Sequence, residues 1–491
     1  MADNKIRIVK LNTNEIKDKI YACWIGKNIG GTMGAPYEGT KEILNVTGFK
    51  TPAGKIIPND DLDLQLVFLL ALEQVGPWSL TANSLAEYWI SYITMNCAEY
   101  NIAKSNLRMG IMPGASGELN NEKFKHSNGG WIRSEIWACT APGFPKIAVR
   151  YAFMDASIDH GMGEGTYAEM FTAALQSIAF YEKDHKKLIS KALEYIPHDC
   201  RVTEAVEYVV NEYDKGIDWV IVRNGLVNIC KDLGWFMAPA NVGFVILGLL
   251  YGEGDFKKSM LRALNCGDDT DCTAATLGAL MGIMYGTKCL PADWVEHIGD
   301  EIWCDSIDTR CTVGDIPKSC TELTERVMQI MPSVFKANRI CVKLTDGESD
   351  FSEHETYDKW YDIKTLTERK RYSTEAYDFT IGMGHIQFDS EPCIAPLETI
   401  SFDLKLINKM HDCRYYNLQL IMPDGWTAEY PKSFFVPNGY MGHIMEPGGY
   451  HGISIKITAG ENVFAQNRIF AVLTSNGRPT VGVIPIMLLG D

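Results

Sequence analysis

The sequence is short of positive charge: 62 acidic residues face 46 basic ones, a formal net charge of -16 at pH 7. That balance opposes counterion-release binding to nucleic acid and attachment to an anionic membrane surface. Long apolar runs are missing as well. The most apolar stretch, residues 242–251, is far short of the roughly 20 residues a spanning helix needs. The opening MADNKIRIVKLNT has no apolar h-region of a signal peptide. No CxxC pair occurs among 14 scattered cysteines, so they read as free thiols of a cytoplasmic protein rather than as disulfide staples or zinc ligands. Internal repeats and low-complexity tracts are absent too. The expectation is a cytoplasmic protein with no nucleic-acid or membrane partner.

What is present is a globular composition, 46% hydrophobic and 22% charged over 491 residues, which is too long for one ordinary core. Residues 64–73, 85–97, 167–182, 204–213, 243–251 and 274–285 carry apolar side chains at three- and four-residue spacing and predict helices. Gly26, Gly30 and Gly34 fall four apart in IGKNIGGTMG. On a helix they make a smooth face for close packing, and Gly34-Ala35-Pro36 ends it. No Gly-Lys-Ser/Thr follows, so this is not a phosphate-cradling P-loop. Near residue 345 the pattern changes. Residues 346–371 are polar and charged, and beyond them ISFDLKL, NLQLIM, GISIKI, RIFAVL and residues 482–487 alternate with turns. The fold expected is multi-domain: an all-α domain over 1–345, a linker over 346–374 and an all-β sandwich over 375–491.

Two acidic clusters carry the chemistry. Asn59-Asp60-Asp61-Leu62-Asp63 leads into LQLVFLLALE, and Gly267-Asp268-Asp269-Thr270-Asp271-Cys272 leads into TAATLGALMGIMYG. One such cluster is ordinarily a helix cap, because free N–H groups and the positive dipole end favour carboxylates there. Two clusters, if they meet, repel each other and call for a cation. All-oxygen donors select Mg²⁺, Mn²⁺ or Ca²⁺.

These residues resemble the motifs of the ADP-ribosylglycohydrolase family. A Gly-rich helix ending in Gly-x-Pro-x-Glu matches Gly34-Ala35-Pro36-Tyr37-Glu38, and Thr-Asp-Asp resembles Asn59-Asp60-Asp61. A Ser/Gly-Asn-Gly loop followed by Met-Arg resembles Ser127-Asn128-Gly129-Gly130-Trp131-Ile132-Arg133. Thr-His resembles Asp159-His160, and Gly-Gly-Asp-x-Asp-Thr before an Ala-rich helix resembles Gly267 to Cys272. The resemblance spans residues 18 to 290. It implies an all-α fold with two Mg²⁺ or Mn²⁺ ions in a central cleft, and hydrolysis of a glycosidic bond at the anomeric carbon of a ribose. Asp60, Asp61, Asp269 and Asp271 look like metal ligands, with Asn59 and Cys272 where the family has hydroxyl ligands. Glu38 resembles the acidic residue that shapes substrate access and is the first choice of catalytic base, Asp61 the second. Ser127, Asn128, Gly129, Gly130 and His160 resemble groups that hold the phosphates and ribose of ADP-ribose.

The departures bear on substrate. Asp268, Asp159 and Asp63 add carboxylates near the expected diphosphate, which predicts room for a less charged glycoside. Cys272, a neutral thiol, is a poor ligand for a hard cation. Two alternatives follow: a hydrolase of another N- or O-glycoside such as a nucleoside or sugar conjugate, and a catalytically inert crystallin-like relative. The partner expected is a small-molecule or ADP-ribosylated substrate. The C-terminal domain is a candidate for capping the cleft, for oligomerisation or for glycan binding; Trp426, Tyr430, Tyr440 and Tyr450 are read first as its core and turns, with a sugar-stacking face as the alternative.

Overall fold

The computed structural model describes residues 8–308, 316–352, 364–367, 369–410, 412–437 and 451–491. Tyr440 and Tyr450 lie outside the described residues. An N-terminal helical domain runs from Thr13–Gly34 to Cys320–Ala337 and is followed by a β-rich region with two packed sheets.

The helical domain is organised around one close helix pair. Thr13–Gly34, the Gly helix, lies antiparallel against Thr270–Tyr285. A Cβ on Gly26 would stand 2.2 Å from the carbonyl oxygen of Gly278, and one on Gly30 would stand 2.3 Å from Ala274. Glycine at every fourth position therefore lets the two backbones touch, as the spacing predicts. Near the end of this pair a Cβ on Gly34 would meet the backbone of Asp271 at 2.4 Å, and one on Gly31 would meet Asn59 Nδ2 at 2.1 Å. The same smooth face thus brings both acidic clusters together.

The predicted helices are present with one correction. The 85–97 run is cut short: its helix, Ala82–Tyr92, ends before residues 93–97, and the next, Ala98–Arg108, begins beyond the run. Thr94 N–H donates to Ser306 O (2.9 Å), and the Lys104 ammonium donates to Ile93 O (2.6 Å), so partners distant from the run replace helical bonds across the break. The domain also contains a two-stranded parallel sheet that the helical pattern does not predict. Ile8–Asn12 pairs with Cys341–Thr345, Leu11 opposite Leu344. Residues just after it are held to the helical body: Asp350 N–H donates to Lys10 O at 2.8 Å, and Phe351 packs against Tyr181.

In the C-terminal region the alternation is realised as buried-and-exposed strands such as Thr399–Asn408 and Gln466–Ser475. One sheet runs Ser433–Val436, Arg414–Ile421, Gln466–Ser475, Val481–Gly490, Cys393–Ile394. The other runs Tyr372–Ser373, Gly382–Phe388, Thr399–Asn408, His451–Thr458, Thr427–Glu429. Ile386, Leu404, Ile455, Ile469 and Ile484 are fully buried between them. Trp426 belongs to this core, donating from Nε1 to Asn462 O, and the Tyr430 hydroxyl accepts from Leu420 N–H, so neither forms a stacking platform for sugars. Met487 and Leu489 join Ile111, Ala115 and Leu119 of the helical domain in a small shared core.

Candidate active site

Asn59 caps the helix Asp60–Val75, its Oδ1 accepting from Asp61 N–H at 3.1 Å. The first turn therefore points Asp60 and Asp61 toward the facing helix start, where Asp269 is the N-cap residue of Thr270–Tyr285. The clusters meet: Cys272 Sγ donates to Asp61 Oδ1 at 3.4 Å. Asp269, Asp271 and Cys272 each offer a donor atom within 4.8 Å of the others.

This is an expensive arrangement. Asp61 is fully enclosed and Asp269 nearly so, and Asp61 Oδ2, Asp269 Oδ1 and Asp271 Oδ1 are buried without a hydrogen-bond partner. Burial, opposed by Lys27, pushes Asp61 well above the usual carboxylate range; burial and Asp271 do the same to Asp269. Burial, then Asp271 and Asp63, push Asp60 up to about 7. Partial burial and Asp271 push Glu38, exposed at the rim, up to about 7 as well. Lys27 stands 4.0 Å from Asp61 Oδ2 and 3.1 Å from Glu135 Oε2, and donates to Ile132 O. One lysine shared by two carboxylates does not balance this many. Unpartnered, mutually repelling oxygens fit a divalent cation, and the donor set favours a hard one. Burial and the surrounding aspartates hold the Cys272 thiol well above its ordinary pKa, so it remains a neutral S–H donor.

The second cluster of expected residues sits beside the first. Asn128 Nδ2 donates to Asp269 Oδ2 at 2.6 Å, and Trp131 Nε1 donates to Asn128 Oδ1, so the buried indole orients the amide. Ser127 Oγ lies 3.3 Å from His160 Nε2 and donates to Phe124 O. Gly129 and Gly130 shape the loop by close approach: a Cβ on Gly129 would meet Glu99 Oε1 at 2.3 Å, and one on Gly130 would meet Gly165 O at 2.9 Å. His160 faces Asp159 Oδ1 at 2.9 Å and Glu99 Oε1 at 3.9 Å.

Of the carboxylates expected to repel a diphosphate, Asp159 has a cationic partner, whereas Asp63 and Asp268 are held by neutral donors. Asp159 accepts two bonds from the buried Arg133 guanidinium, at 2.8 and 3.0 Å. Burial works upward on Asp159, but Arg133 and His160 outweigh it and hold it at about 2. Asp63 Oδ2 accepts the backbone N–H groups of Asp305 and Ser306, both at 3.0 Å. Asp268, at φ +65°, accepts from Phe236 N–H and Asn241 Nδ2. Each one fastens a loop, and Asp63 Oδ1 stays buried without a hydrogen-bond partner, so the charges of Asp63 and Asp268 are held in place rather than cancelled.

Lys27, Glu135, Glu99 and Arg133 are the site's further charged residues, and their roles are not predicted from the motifs. Arg133 also donates to Gly129 O (2.6 Å) and packs over Trp89, fixing the glycine loop to the Asp159 turn. A lysine inside the buried run IGKNIGG is the one local sign that could have marked Lys27.

The family model for ADP-ribosylglycohydrolase matches residues 12–329. Among curated proteins, an ADP-ribosylarginine hydrolase, Tri1, of Pseudomonas putida is 21% identical over 335 residues, covering 66% of this chain and 82% of its own. An uncharacterized protein of Archaeoglobus fulgidus is 20% identical over 324 residues, covering 60% of this chain and 96% of its own. A solved structure described as an ADP-ribosylglycohydrolase-related protein complex aligns with 66% of this chain and 99% of its own, at 17% identity and a TM-score of 0.45. The matched span contains both acidic helix starts, the glycine loop and the Asp159-His160 turn, and the chain belongs to the ADP-ribosylglycohydrolase family.

Proposed function

We propose that this protein is a divalent-metal-dependent hydrolase of a ribosyl N- or O-glycosidic bond, with an ADP-ribosyl conjugate as substrate. The observation that carries this reading is the meeting of two acidic helix starts whose buried Asp61 Oδ2, Asp269 Oδ1 and Asp271 Oδ1 accept no hydrogen bond. Asp60, Asp61, Asp269 and Asp271 would hold two Mg²⁺ or Mn²⁺ ions, the second lone pair of Asn59 Oδ1 would assist, and water would fill the corner at Cys272. When bound, such ions hold sugar hydroxyls and a water and lower that water's pKa.

The chain's own groups divide the remaining work. Asp61 is sealed from solvent between Cys272 and Lys27, whereas Glu38 stands at the rim, which favours Glu38 as the base that takes the proton from water. Its exposure leaves that carboxylate open to water and to substrate, as the role requires. Ser127, Asn128 and the Gly129–Gly130 backbone would orient the phosphates and ribose together with His160. The pairing of Asp159 with Arg133 lessens the negative charge a diphosphate would meet, which keeps ADP-ribose as the substrate proposed. Against an inert relative stand the unpartnered carboxylates, since uncompensated buried charge is costly to keep.

The test is release of ADP-ribose from ADP-ribosylated arginine, with nucleosides as comparison substrates, in Mg²⁺ or Mn²⁺. Release that requires metal, and that is lost in Glu38→Gln while metal affinity persists, supports the whole assignment. Cleavage of nucleosides alone contradicts the substrate. Metal binding without hydrolysis of any glycoside contradicts the enzyme.

A further inference from the structure

Residues 110–122 are gripped from two sides. On one side they clamp the turn that carries His160. Ser116 Oγ donates to Ile158 O at 2.6 Å, Asn121 Nδ2 donates to Asp159 O at 2.7 Å, and Glu118 Oε1 accepts Met162 N–H at 2.6 Å. The fit leaves no slack: a Cβ on Gly117 would stand 2.1 Å from Gly161 N, and one on Gly161 would strike Glu118 Cγ at 2.6 Å. On the other side the same residues are held by the sandwich. Glu375 N–H donates to Pro113 O at 3.0 Å, Gly114 bridges to Thr374, and Ile111, Ala115 and Leu119 share a core with Met487 and Leu489.

The two grips converge on Glu118. Its side chain is completely buried, and its Oε2 accepts from Lys125 at 3.0 Å and from Arg371 Nε at 2.5 Å. Lys125 is local, seven residues on; Arg371 leads into the first strand of the sandwich, Tyr372–Ser373. Arg371 also pairs with Glu122. A sealed carboxylate whose other oxygen receives a backbone N–H beside His160 thus takes part of its charge compensation from the other domain. Removing Arg371 leaves Lys125 as the cation on this sealed carboxylate, so Glu118 is less fully compensated and its hold on the turn weakens.

We infer that the β-sandwich is a brace on the candidate active site, with Arg371 as a positioning residue that acts through Glu118 on the His160–Gly161 turn. The inference rests on the proposed function only in giving His160 a ligand to hold; the mechanical link stands on its own contacts. It gives the C-terminal domain work within this chain, beyond hydrolysis as such.

The test compares full-length wild type, Arg371→Ala and Arg371→Lys by two measurements. Hydrogen exchange reads the turn directly, because the Met162 amide is the group Glu118 holds. Arg371→Ala should speed exchange over residues 158–166 by about tenfold or more while leaving residues 270–285 unchanged. ADP-ribose affinity in Mn²⁺ should fall about tenfold in Arg371→Ala, the size expected for loosening one charged hydrogen bond. Mn²⁺ affinity should be unaffected, and Arg371→Lys should restore most of both losses. Exchange unchanged at residues 158–166 overturns the brace, and so does faster exchange with ADP-ribose affinity intact. If wild type binds Mn²⁺ but no ADP-ribose, the proposed substrate fails, and the exchange comparison by itself decides the brace.

Discussion

In the helical domain Lys27, Asp61, Arg133 and Glu135 are all completely enclosed, and several carboxylate oxygens there lack partners. In the sandwich the interior is Ile, Leu and Phe, and the well-buried Asn467 spends its amide on the carbonyls of Phe464 and Leu488. Both domains are well packed, so packing does not separate them. What separates them is the kind of buried atom left without a partner. Among the described residues these include carboxylate oxygens of Asp61, Asp63, Glu169, Asp269 and Asp271 in the helical domain, but in the sandwich Ser373 Oγ, the Tyr377 hydroxyl and Arg414 Nε, and no carboxylate. A fold keeps unsatisfied charge only at a free-energy cost, and where it does so a ligand is the natural compensation. By this measure the helical domain is where the proposed chemistry belongs, with the sandwich as its proposed brace.

Substitutions can break this comparison, beginning with the helix pair. Gly278→Leu would place side-chain atoms where the Gly26 carbonyl already stands 2.2 Å from an ideal Cβ. It should unfold the helical domain, read as loss of far-ultraviolet helical signal and of soluble yield. Next in size is Lys27→Met, which strands Asp61 and Glu135 in the interior. In metal-free protein it should cost about 3–5 kcal/mol by denaturant unfolding, with part of the loss restored by Mn²⁺. In the sandwich, Ile455→Ala should cost about 2–5 kcal/mol through its cavity and leave Mn²⁺ affinity within about twofold of wild type. A large change in metal affinity there would erase the distinction between the domains.

The smallest expected effect concerns pH. Burial, then Lys125, push the His126 imidazole down to about 4, and its Nδ1 accepts Glu164 N–H at 3.1 Å. The unfolded chain titrates near the ordinary histidine value of about 6.5, so between these values it binds more protons than the folded one. The His126 contribution should be complete above pH 6.5 and lost progressively as pH falls toward 4. His126→Gln should flatten the fall in melting temperature across that window; an unchanged slope would remove His126 as its source.

Much of this was legible in the sequence, for physical reasons that differ between elements. Strict alternation in ISFDLKL and RIFAVL marks half-buried strands, and both are found in register within their sheets. Four-residue glycine spacing marks a helix that another backbone touches, and Gly26 against Gly278 bears this out. The early end of the 85–97 helix was hidden because the Lys104 ammonium and Ser306 O, which serve the freed backbone groups, come from outside the run. The partners of Asp159, Asp63 and Asp268 were hidden for the same reason: Arg133, the Ser306 N–H and Asn241 are brought to them only by the fold. Arg371 looked like part of a polar linker, and its partner Glu118 lies 253 positions away. Periodicity is local, while satisfaction of buried charge is not.

The central claim is that Asp61, Asp269 and Asp271 face one another because divalent cations complete them. Thermal unfolding of wild type and Asp269→Ala, each with and without Mg²⁺ or Mn²⁺, tests this most directly, since a ligand bound only by the folded state raises the melting temperature by mass action. The account predicts a metal-dependent rise in wild type that is absent from Asp269→Ala. Wild type melting at the same temperature with and without either metal, at concentrations up to the millimolar range, would contradict it.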